Sequence, residues 1–191
     1  MMSENNSIED IISGDKIAGR LLDNCIHYLS GEIAEENVAA AIKWIIYENL
    51  SNHNKTLTLY VNSSGGDLYQ TFALIDIMRT SKLPIRTIGL GNVMSAAFLI
   101  FASGTKGLRI IAPNTGIMCH QFSNNQEGKY HDIKAQVLES DNCNFRMVEI
   151  LKYATGLPAN TIKAKLLPAS DVYFTAEELI NFKVADEILK Y

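Results

Sequence analysis

From Glu36 to Leu50 the chain reads ENVAAAIKWIIYENL, with Val38, Ile42, Ile45 and Ile46 at the spacing of one helical face. TLTLYVN (56–62) changes the pattern to β-branched and aromatic residues and predicts a strand. A tight turn, SSGGD (63–67), leads into LYQTFALIDIMRTS (68–81), a second helix apolar at Phe72, Ile75 and Met78. PIRTIGL (84–90) predicts a strand, and Met94 to Ala102 a short buried helix. LRIIAP and GIMCHQF predict two more strands. A helix from near Tyr130 to about Tyr153 follows, longer than most globular helices, so part of it is expected to project. The chain closes with a short helix after Pro158, an extended DVYF, a helix TAEELINF and a final strand. Strands separated by helices predict an α/β fold with largely parallel pairing. Residues 1–19 are expected to be a flexible arm or removable leader, and 20–191 one domain.

Composition narrows the function classes. The chain has 191 residues and a net charge of −4, with scattered basic residues, so it carries no footprint for nucleic acid or an acidic membrane surface. The longest apolar run, Val93 to Ala102 with Ser95 interrupting it, falls short of the roughly 20 residues that span a bilayer. Cys25, Cys119 and Cys143 form neither a disulfide framework nor a CxxC metal site, which favours a reducing compartment. The opening MMSENNSIEDIISGDK lacks the apolar core of a signal peptide, so a cytoplasmic location is expected.

Candidate chemistry starts at GNVMSAAFLI (91–100). No charge occurs from Gly89 through Ser103, yet Ser95 places a hydroxyl there. It reads either as a helix N-cap or as a nucleophile on a sharp strand-to-helix turn. In the second case the Ala96 N–H faces a developing oxyanion. His120 ends the apparent strand GIMCHQF. Alternation sends Met118 and His120 to one face and Ile117, Cys119 and Gln121 to the other. His120 is either a core residue or a base, and Cys119 points away from it, which discounts a Cys–His pair. His27, His53 and His131 are weaker candidates. Asp171, at the start of DVYF, reads as an orienting carboxylate or as a turn stop. SSGG (63–66) fits no phosphate loop, but its two glycines allow close backbone approach to a ligand.

Four stretches in one order carry a resemblance: RLLDNCIHYLSGEI (20–33), YVNSSGGDL (60–68), GNVMSAAFLIFASGTKGLRIIAPNTGIMCHQF (91–122) and DVYFTAEELINFKVADEIL (171–189). From about residue 20 onward the chain resembles the proteolytic subunits of the Clp protease family. The resemblance implies a crotonase-like α/β fold with a projecting handle helix, and a serine endopeptidase with chain order Ser…His…Asp. By motif, it makes Ser95 the nucleophile, His120 the base and Asp171 the acid, with the Gly66 and Ala96 N–H groups as oxyanion hole. It implies no cofactor and no metal. It further implies two stacked seven-membered rings fed with unfolded polypeptide by a hexameric AAA+ unfoldase, docking at an apolar pocket that includes Tyr60 and Ile88. Substrate would add as a strand beside SSGGD and the segment after His120.

The chain departs from the family pattern at three places. Ser64 stands where the family reads SPGG, SAAF replaces SMGA around the nucleophile, and Phe122 to Asn125 replace a proline and a glycine-rich strand. Competing readings are a catalytically silent ring subunit, a crotonase-type acyl-CoA enzyme sharing the fold, and a peptidase used in phage capsid maturation.

Overall fold

The computed structural model describes residues 16–190. Residues 1–15 of the expected N-terminal arm lie outside them. Residues 16–23, α1, are helical and include the last positions given to that arm. Then follow β1 (Ile26–Ser30), α2 (Glu35–Leu50), β2 (Leu57–Ser63), α3 (Leu68–Thr80), β3 (Ile85–Met94) and α4 (Ala96–Ala102). After them come β4 (Arg109–Ile111), β5 (Gly116–Cys119), α5 (Tyr130–Thr155) and α6 (Ala159–Thr161), which continues into a π-helical turn (Ile162–Leu166). β6 (Val172–Phe174), α7 (Ala176–Asn181) and β7 (Glu187–Ile188) complete the chain.

The seven strands form one sheet in the order β1-β2-β3-β4-β7, with β5 paired to β3 and β6 paired to β5. All pairings are parallel except β5–β6. This is the crotonase-like α/β architecture, with helices supplying the crossovers that parallel strands require.

β3 makes the site possible. Its first half pairs with β2 and β4, and its last residues, Asn92 to Met94, pair with Gly116 to Met118 of β5. The sequence pattern ended this strand at Leu90; the chain instead stays extended to Met94. The register against β2 shifts between Val61 and Ser63. At that irregularity the Asn62 Oδ1 accepts the Asn92 N–H at 3.0 Å. Gly91 turns there at φ 64, and a Cβ on it would run into the Asn62 side chain.

All seven residues of α4 are buried, Phe98 and Phe101 completely. Burial of a large apolar side chain contributes about 1.5–3 kcal/mol, so α4 is an anchor and the residue that precedes it is held firmly. α5 behaves differently along its 26 residues. Its second half buries Cys143, Met147, Val148, Ile150 and Leu151, while Tyr130, Val137 and Leu138 are exposed, so its first half leaves the core as expected. In α2, Val38, Ala41, Trp44 and Ile45 face inward, but Ile46 is exposed because the buried stripe passes through Ala41 and Trp44 instead.

Candidate active site

Ser95 occupies the N-cap position of α4, yet its side chain caps nothing. Its backbone sits at φ 51, ψ −121, a region that L-residues rarely adopt. Holding a serine there costs on the order of 1–3 kcal/mol and persists only where the surroundings enforce it. Three contacts enforce it. The Ser95 N–H donates to the Met118 carbonyl at 2.9 Å, the Ser95 carbonyl accepts the Phe98 N–H at 3.0 Å, and the buried α4 fixes the following chain. The helix-cap reading is therefore overturned: the hydroxyl caps no helix N–H group, and among the described residues it makes no hydrogen bond.

The glycines of SSGG supply the opposing wall. Gly65 lies at φ 105, and a Cβ on it would come within 2.7 Å of the Ser95 Cβ and 3.2 Å of the Ala96 nitrogen. Gly66 pairs with Ile33 in an isolated parallel bridge. The Ile33 N–H donates to the Gly65 carbonyl and the Asp67 N–H to the Ile33 carbonyl, both at 2.8 Å. These two bonds leave the Gly66 N–H outside the bridge. Asp67 then caps α3, accepting the Tyr69 and Gln70 N–H groups at 2.7 and 3.1 Å, which fixes the turn.

His120 stands one residue beyond β5, where the strand ends at Cys119 instead of continuing through Gln121 and Phe122. The expected alternation holds: Ile117 and Cys119 are buried, Met118 and His120 half-buried. Burial pushes the Cys119 thiol up to about 12, so it stays protonated and unreactive near neutrality. After His120 the chain is non-regular up to α5. It is clasped by the Gln121 N–H donating to the Pro168 carbonyl at 3.3 Å and the Phe122 N–H to Asn144 Oδ1 at 2.8 Å.

Four of the five residues singled out in the sequence line one small cleft of about 70 Å³: Gly66, Ser95, Ala96 and His120, with Leu68, Phe122 and Met147 among its other walls. Asp171 is not part of that lining. It is exposed, and no hydrogen bond joins it to His120 among the described residues. The strands nevertheless bring the two together. β5 and β6 run antiparallel with Cys119 opposite Val172, so the next residues along the two strands are His120 and Asp171. Sequence reading missed three contributors. Gly65 presses on Ser95, Met147 reaches the cleft from α5, and Asn144 holds the chain after His120. A double glycine hinted at the first; Met147 and Asn144 carried no signal, because their part depends on where α5 lies.

The family model for Clp protease matches residues 9–191, nearly the whole chain, and the chain belongs to this family. Membership supports a peptidase that works within an oligomeric assembly.

Proposed function

We propose that this Clp protease family chain is a self-compartmentalised serine endopeptidase, with Ser95 as nucleophile, His120 as general base and Asp171 as the carboxylate that orients it. The observation carrying the proposal is the backbone of Ser95. A serine held at φ 51 without capping the helix behind it has been positioned for something other than stability. A sharp, strained turn that lifts a hydroxyl clear of the sheet is the arrangement a nucleophile needs.

In the reaction, Ser95 Oγ attacks the scissile carbonyl while His120 takes its proton, then returns it to the leaving amine. Asp171 holds the imidazole in the tautomer whose free nitrogen faces Ser95, and stabilises the imidazolium. The developing oxyanion is met by the N–H groups of Gly66 and Ala96, which lies at the start of α4 where carbonyl partners are lacking. Substrate would lie extended alongside the SSGGD turn, adding its backbone to the open edge there.

The exposed state of Asp171 favours a specific elaboration: the triad closes on assembly. The projecting half of α5 exposes Tyr130, Val137 and Leu138, and Phe145 lies exposed further along. Such a surface suits packing against other subunits, in the stacked heptameric rings that the resemblance implies. Across the sheet, Tyr28 pairs with Tyr60 and Tyr60 with Ile88. Tyr28 is exposed, Tyr60 half-buried and Ile88 buried, so Ile88 forms a floor and the tyrosines a wall for a docking AAA+ unfoldase. Three buried, unpaired cysteines fit work in the cytoplasm.

The reading is tested by hydrolysis of a fluorogenic peptide, comparing wild type with Ser95→Ala at matched ring content. Cleavage by the wild type that falls to background in the variant supports it; equal cleavage by both overturns it.

A further inference from the structure

At the amino ends of β1 and β2, away from Ser95, three potential metal ligands converge. Cys25 precedes β1, Glu48 lies in the last turn of α2, and His53 sits in the loop leading to β2. Glu48 Oε2 lies 2.8 Å from His53 Nε2 and 3.4 Å from Cys25 Sγ, and the sulfur lies 3.9 Å from His53 Nε2. Cys25 and Glu48 are buried and His53 half-buried.

A second observation points to a ligand. Glu48 is only 3% exposed, and its Oε1 is buried with no hydrogen-bond partner. A buried carboxylate oxygen without a partner is costly, and a metal held by the carboxylate through Oε1 as well as Oε2 is one of the few ways to satisfy it. A cleft of about 160 Å³ opens onto the three side chains and is edged by Asp23, Tyr47, Ser51 and Lys55. It provides an entry path and room for a water ligand.

We propose that Cys25, Glu48 and His53 form a binding site for a divalent transition metal, best matched to Zn²⁺, with water as fourth ligand. One thiolate, one imidazole and one carboxylate are the donor types Zn²⁺ takes. Tetrahedral Zn²⁺ at its usual bond lengths spaces such donors roughly 3.3–3.6 Å apart. The sulfur–oxygen edge is already there at 3.4 Å, and the two other edges each need to change by about half an ångström. Charge also closes: Zn²⁺ with one thiolate and one carboxylate is neutral, which suits a buried position.

The protons balance as follows. The Cys25 thiol proton leaves for solvent as the Zn–S bond forms. His53 Nδ1 accepts the Lys55 N–H at 3.2 Å, so in the metal-free protein the ring carries its proton on Nε2, towards Glu48. Metal at Nε2 moves that proton to Nδ1 and opens the Lys55 contact, a modest loss in a surface loop. One proton is released per metal bound, and three separate elements become tied at one point.

The test uses the full chain without a histidine tag, reduced with a non-thiol reductant, stripped of metal and titrated with Co²⁺. A thiolate-to-cobalt charge-transfer band with tetrahedral d–d absorption is expected, saturating at one metal per chain and abolished by Zn²⁺. Cys25→Ser should lose the charge-transfer band, and His53→Ala should weaken binding at least about tenfold. Zn²⁺ should also raise the Tm of the wild type by clearly more than that of His53→Ala. His53→Ala decides the matter if Cys25→Ser does not fold, because half-buried His53 lies in the loop before β2, outside the apolar core. No charge-transfer band in the folded wild type, or the same band in Cys25→Ser, overturns the proposal. So does an equal Zn²⁺-induced rise in Tm for wild type and His53→Ala.

Discussion

The Ser95 N–H donates to the Met118 carbonyl at 2.9 Å. That bond continues the β3–β5 ladder by one step beyond Met94 and Met118, so the serine is fastened to the strand that ends one residue before His120. Ser95 and His120 are held by adjacent strand ends of one sheet, and α4 keeps the first from relaxing.

The strain at Ser95 can be separated from its chemistry. Ser95→Gly suits φ 51, ψ −121 without penalty, whereas Ser95→Ala keeps the strain. Both variants are expected to be inactive, with the glycine variant more stable than the alanine variant by about 1 kcal/mol in thermal or denaturant unfolding. Equal stability would mean that the backbone of Ser95 is not under load.

Gly65→Ala places a Cβ within 2.7 Å of the Ser95 Cβ, at a residue whose φ of 105 already excludes side chains. A loss of at least about 1–3 kcal/mol in stability is expected. A fall in kcat of the surviving fold should accompany it, since the displaced groups are Ser95 and the Ala96 nitrogen. Paired measurement of Tm and peptide hydrolysis checks both.

Asp171→Asn isolates the carboxylate while keeping its size. If Asp171 closes on His120 in the assembly, kcat is expected to fall by about 10³–10⁴, as it does when a triad histidine loses its orienting acid, with KM little changed. Steady-state kinetics on intact rings reads this directly; an unchanged kcat would remove Asp171 from the mechanism.

Arg109 and Asp186 form the ion pair that locks the sheet edge. Arg109 is 2% exposed, and its guanidinium donates to both Asp186 oxygens, at 2.6 and 2.8 Å, and to the Ala154 carbonyl at 3.0 Å. Burial alone would raise the Asp186 pKa, but the Arg109 hydrogen bonds and charge and the Gly107 N–H outweigh it and hold the carboxyl below its usual range. A carboxyl lowered in the fold contributes stability that is present above the unfolded value of about 4 and lost as pH falls through the lowered value. Asp186→Ala strands the buried guanidinium, so a loss of about 3–5 kcal/mol at neutral pH is expected. Acid titration of stability should show a shallower decline below about pH 4 in the variant than in the wild type.

The parts of the fold written in local periodicity were legible in the sequence. α5, α3 and β2 stand within a few residues of their expected bounds because long helical stripes and a dense β-branched run carry their own signal. The alternation around His120 was legible for the same reason. The extension of β3 was not: Gly89 and Gly91 look like a turn, and only the Asn62 side chain opposite shows how the strand continues through it. Nor was the backbone of Ser95, since its φ of 51 and its failure to cap α4 leave no mark in the residue type or its place. The cluster of Cys25, Glu48 and His53 was hidden too. Its ligands are 23 and 5 residues apart, and the buried glutamate sits in a helix whose other inward residues are apolar.

The central claim is that Ser95 is an activated nucleophile. Intact-mass analysis after exposure to a fluorophosphonate tests it most directly, comparing wild type with Ser95→Ala. One covalent adduct per wild-type chain and none on the variant is the expected result. No adduct on a folded, ring-sized wild type, or the same adduct on both proteins, would contradict it.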